Sequence, residues 1–122
     1  MISDYIFELK KTIEKLPCVL SDKVVIDNRG DVVLFLKGEI IFTDQSEFHF
    51  KEYFIAVPEF EKLAYSYHYQ DKEKNMIFRY DNAEHHQGVD TFPHHKHVDN
   101  RIISSSEMTL TNVLGIIVDQ IK

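Results

Sequence analysis

The sequence predicts an α+β fold, an antiparallel β-meander of about five strands between an N-terminal and a C-terminal helix, with a long His-rich loop before the second helix. Three observations carry this reading. Apolar residues follow the helical period only at the two ends; the segments between them alternate with period two; residues 81–98 follow neither period.

In order, Ser3 can cap a helix over residues 4–16 whose inner stripe is Ile6, Leu9, Ile13 and Leu16, with Pro17 as its stop. Val24, Val25 and Ile26 then lead into the turn signal Asn28-Arg29-Gly30, and the branched and aromatic run from Val32 to Phe42 returns as a hairpin partner. Gly38 interrupts that run and predicts a bulge or bend. After Asp44-Gln45-Ser46, the strand from Glu47 to Val57 sets Phe48, Phe50, Glu52 and Phe54 on one face. A strand from Lys62 to Gln70 places Tyr65, Tyr67 and Tyr69 together, a stripe that is more often half-buried sheet than a stacking platform. Met76 to Tyr80 is the return strand. Ser104 and Glu107 match a capping box, ahead of a helix carrying Leu110, Val113, Leu114, Ile117 and Ile121.

The 122 residues suit one domain, 1–122, with no repeat or linker. A formal charge of −6 argues against non-specific nucleic-acid binding through a broad basic face. The acidity is local: residues 1–71 hold eight Lys or Arg against thirteen Asp or Glu, whereas residues 72–101 hold five of each. MISDYIFELKK has no basic stretch followed by an apolar one, so neither export nor a membrane is expected and the protein is read as cytoplasmic. Cys18, the single cysteine, reads as a small buried hydrophobe.

Chemistry concentrates between Tyr65 and His97. This stretch holds six of the seven histidines, five of them within residues 85–97. Histidine donates, accepts, carries charge and ligates metals near neutral pH. The candidate catalytic residues are His68, Arg79, His85, His86, His94, His95, Lys96 and His97, with Tyr67, Tyr80 and Glu52 as candidate substrate contacts. Glu52 on an aromatic face is either a structural carboxylate, set where the face opens to solvent or paired with a nearby arginine, or one held at a pocket edge with a perturbed pKa; the sequence leaves both open. His68 and Arg79 should lie across a strand pair, close to at least two of the other histidines.

Three readings suit this segment. In the first, metal-independent cleavage of RNA, one histidine takes the 2′-hydroxyl proton, another protonates the leaving oxygen, and a cation steadies the phosphorane. In the second, a non-enzymatic module, the same histidines with Asp81 and Glu84 bind a metal or a partner. No HExxH or paired CxxC motif supports it, and only His95 and His97 have the i, i+2 spacing that turns extended side chains the same way. In the third, the histidines form a structural network with Asp81, Asp90 and Asp99.

The succession FKEY at 50–53, YSYHYQ at 65–70, RYDNAEHH at 79–86 and TFPHHKH at 91–97 resembles the TumE family of toxins from toxin–antitoxin pairs. The resemblance implies a small cytoplasmic toxin neutralised by direct binding of a cognate helix-turn-helix antitoxin, and with the histidines it makes RNA the candidate substrate. It implies no cofactor and assigns no catalytic role to any residue. Glu84 departs from the pattern, which has proline at this position.

Overall fold

The structure is a computed structural model and describes residues 1–121. Its strands are β1 (Val19–Arg29), β2 (Val33–Phe42), β3 (Glu47–Ile55), β4 (Glu61–Gln70), β5 (Met76–Asp81), β6 (His95–Val98) and β7 (Arg101–Ser104). They form one antiparallel sheet in sequence order, preceded by helix α1 (Ile2–Glu14) and followed by α2 (Leu110–Ile121). The α+β meander between two helices is as expected, but the sheet has seven strands rather than five. The additional pair is the β6–β7 hairpin, which docks on β5 through Arg79↔His97 and Asp81↔His95. Within the expected loop, residues 81–98, irregular backbone is therefore confined to residues 82–94. The hairpin closes on Asp99 and Asn100, both with positive φ, the backbone that a two-residue turn between twisted strands requires.

The helices share one face of the sheet. Leu9 and Ile13 of α1 and Val113, Leu114 and Ile117 of α2 pack with Leu34, Leu36, Ile40, Phe48, Phe50, Tyr67 and Tyr69 in one cluster. Complete burial of each large apolar side chain contributes about 1.5–3 kcal/mol, so this layer is the main source of stability. Both helix starts differ from expectation. α1 begins at Ile2, which puts Ser3 inside its first turn, and α2 is capped by Thr109, whose hydroxyl accepts from Asn112 N at 3.1 Å; Ser104 belongs to β7.

Gly38 does not mark a bulge. The register runs through it without a shift, Val24↔Gly38 on one side and Gly38↔Phe50 on the other. Glycine is required because the Phe50 ring lies across it, and an added Cβ would fall inside that ring. A shift does occur where β4 meets β3, between Tyr53↔Ala64 and Phe54↔Lys62. Strict alternation from Tyr65 would turn Leu63 inward; the extra residue instead exposes Leu63 and sends Lys62 to the helix side. Asn82 bridges this irregular edge, accepting from Tyr65 N at 3.0 Å and donating to the Leu63 carbonyl at 2.9 Å.

Candidate active site on the open sheet face

Among the described residues, no helix covers the opposite face. Alternation along β1 to β6 directs Lys23, Lys37, Glu39, His49, Lys51, Ser66, His68, Arg79, Asp81, His95 and His97 to it. The register aligns these residues in two rows across the strands. One runs Glu39, His49, His68, Arg79, His97; the next runs Lys37, Lys51, Ser66, Asp81, His95. A groove of about 560 Å³ lies along them, lined among others by Lys23, Lys37, Lys51, His49, His68 and Arg79.

The densest contacts surround Asp81, whose side chain is only 7% exposed. Oδ1 accepts from Ala83 N at 3.0 Å and lies 2.8 Å from His95 Nε2. Oδ2 accepts from Arg79 Nε at 3.0 Å and lies 3.4 Å from His97 Nε2. The two imidazoles meet directly, Nε2 to Nε2, at 3.1 Å. From the loop, the His86 ring packs edge-on against both, with centroids 4.9 Å from His95 and 5.6 Å from His97. Burial pushes the His97 imidazole below its ordinary pKa; Asp81 pulls it up, and His95, Arg79 and His86 press it down again.

His68 stands beside this centre, paired across the ladder with Arg79 and His49. Its Nε2 lies 2.9 Å from Gln70 Oε1, while Nδ1 is buried without a partner, the one such side-chain atom among the described residues. Burial lowers its pKa, the Gln70 hydrogen bond opposes that, and Arg79 and His49 add to the lowering.

The expected closeness to at least two other histidines is seen for Arg79, which pairs with His97 and shares Asp81 with His95, whereas His68 has Arg79 and His49 as its cross-strand neighbours. The remaining candidates separate. His85 is exposed, its ring 6.4 Å from that of His86. His94 turns to the helix side, where Nδ1 lies 2.9 Å from the Tyr65 hydroxyl. Lys96 alternates away from His95 and His97, its ammonium 5.0 Å from the Tyr80 ring centroid and 5.6 Å from that of Phe78.

Tyr67, Tyr80 and Glu52 also lie on the helix-covered face, at 0%, 6% and 2% exposure, out of reach of any substrate in the groove. Glu52 accepts from the hydroxyls of Tyr5 in α1 and Tyr67, and Lys62 donates to the Tyr67 oxygen at 2.8 Å. Burial raises its pKa while both tyrosines and Lys62 oppose the rise. Glu52 is thus buried and held by two tyrosine hydroxyls, rather than lying at an opening to solvent or pairing with an arginine. Of the open-face residues outside the candidate list, two stand beside the candidate histidines: Asp81, which the sequence offered only as a metal ligand or histidine partner, and His49, isolated in sequence from the other histidines. Alternation of β3 against β4 was the signal that could have found His49.

No helix among the described residues is long and apolar enough to cross a membrane. Neither the curated proteins nor the solved structures give a match to this chain. The family model for toxin TumE matches residues 9–121, which include the second half of α1, every strand, the whole open-face centre and α2, and the chain therefore belongs to the TumE toxin family.

Proposed function

We propose that this TumE toxin is an endoribonuclease that binds RNA along the open sheet face in the cytoplasm, and that a cognate helix-turn-helix antitoxin silences it by direct binding. The observation that carries the reading is the cross-strand row of His49, His68, Arg79 and His97 beside Asp81 and His95. Phosphodiester cleavage needs groups that take the proton of the attacking hydroxyl and give one to the leaving oxygen as its bond to phosphorus breaks, and fixed positive charge where the phosphate becomes more negative. The centre of Asp81, His86, His95 and His97 serves the first need. Arg79 serves the second: its Nε is held by Asp81, and its side chain is 41% exposed, leaving the outer guanidinium nitrogens to face the groove. Lys23, Lys37 and Lys51 extend the positive charge along it, a local basic track on an acidic protein.

The test is RNA integrity. Tag-free protein incubated with total RNA should fragment it, and expression should arrest growth unless the antitoxin is co-expressed. Arg79→Ala should reduce cleavage by about 10²–10³-fold. Intact RNA after exposure to folded, antitoxin-free protein would overturn the reading.

A further inference from the structure

His95 is fixed from both ends. Its Nδ1 lies 2.9 Å from the Pro93 carbonyl oxygen, an acceptor only, so Nδ1 carries the ring hydrogen. Nε2, the nitrogen with which the ring would ligate a metal, is aimed at Asp81 Oδ1 at 2.8 Å and His97 Nε2 at 3.1 Å. His86 brings a third imidazole, and one ligand nitrogen from each of His86, His95 and His97 lies within 4.8 Å of the others. Electron-rich atoms converging this closely repel one another unless a cation lies among them. A single proton bridges only two of them.

We propose that His86, His95 and His97 bind one divalent transition-metal ion, with Asp81 as their carboxylate partner. Three imidazoles and a carboxylate suit Zn²⁺, Co²⁺ or Ni²⁺ and are a poor set for Mg²⁺ or Ca²⁺, which take oxygen ligands. The His95 hydrogen bond to the Pro93 carbonyl is the outer contact that fixes the tautomer and aim of a ligating histidine. Arg79 and Ala83 N play the same part for Asp81. His95 and His97 share a face because they are two apart on β6, and His86 approaches from the loop, so strand and loop together make a set that neither holds alone. A second convergence, Glu39, Glu47 and His49, lacks this character, because Lys74 and Gln70 already donate to Glu47. A bound ion would act as a Lewis acid toward a phosphate oxygen held by Arg79. That consequence rests on the RNA-cleavage reading; metal binding does not.

Tag-free, full-length protein stripped with a chelator and titrated with Co²⁺ should take up one equivalent and develop visible d–d absorption, which Zn²⁺ displaces. His86→Ala and His97→Ala replace partly exposed side chains and should keep the far-ultraviolet circular dichroism of the parent while losing more than about 100-fold in Co²⁺ affinity. His85→Ala, an exposed neighbour, should bind as the parent does. Absence of stoichiometric Co²⁺ and Zn²⁺ binding by the folded parent would overturn the site, as would unchanged affinity in both variants. Metal uptake by a protein that leaves RNA intact would support the site and overturn the nuclease reading instead.

Discussion

The two faces of the sheet hold similar side chains and treat them in opposite ways. On the helix-covered face, Glu52 accepts from Tyr5 and Tyr67, Lys62 donates to Tyr67 and the Met108 carbonyl, and His94 meets Tyr65. Each polar group there is matched with one of complementary character. On the open face, His95 Nε2, His97 Nε2 and the Asp81 carboxylate converge on one another, and His68 Nδ1 has no partner. Satisfied polar groups in a core fix structure. Unsatisfied ones that converge beside a groove are available for a ligand.

If this contrast is correct, substitutions on the two faces should separate activity from stability. The largest effect belongs to His97→Ala, which should lower RNA cleavage by at least about 10³-fold and abolish growth arrest while shifting folding stability by less than about 1 kcal/mol. Urea denaturation beside a cleavage assay would measure both, and a variant that unfolds as readily as it loses activity would break the comparison. Glu52→Ala should do the reverse. It strands the Tyr5 and Tyr67 hydroxyls and opens a cavity, costing about 2–4 kcal/mol with cleavage per folded molecule unchanged. Gly38→Ala should cost about 1–3 kcal/mol, because Phe50 must leave its place over β2.

Smaller effects sharpen the contrast. Lys51→Ala should weaken RNA binding without altering the rate at saturation, and should reduce the slope of log affinity against log salt by about 0.7. Two carboxylates on opposite faces should give stability profiles of opposite sign. Glu47, on the open face, is held below its ordinary pKa chiefly by Lys74 and His49. Its contribution is present above the ordinary carboxylate value and is lost as pH falls through the lowered one. Glu52 is raised by burial, so the folded state favours its proton, and the associated stability is present at low pH and lost as pH rises through the raised value. Thermal unfolding across acidic to mildly alkaline buffers should show Glu47→Gln destabilised most at neutral pH and Glu52→Gln destabilised most in acid.

Patterning made much of the fold legible. The inner stripe of the N-terminal helix, the alternation of residues 47–55 and 65–70, and the pairing of His68 with Arg79 follow from side-chain periodicity, which one element expresses by itself. Where a neighbour decides, the sequence was a poor guide. The β6–β7 hairpin is two four-residue strands rich in polar side chains, with only Asp99-Asn100 as a turn signal. Phe50, distant in sequence but directly opposite in the register of β2 with β3, explains Gly38, and the irregular pairing with β3 explains why Lys62 rather than Leu63 turns inward.

By itself, then, the sequence determined which side chains share a strand face and that five histidines crowd into thirteen residues. The tertiary structure alone decided which of them meet. Alternation sends His94 and Lys96 to the helices and His95 and His97 to the groove, but only the pairing of β6 with β5 brings the latter two onto Asp81, and only the return of the loop adds His86. The reason is physical: periodicity is a property of one strand, whereas convergence of ligand atoms depends on register between strands, which cross-strand hydrogen bonds and packing select.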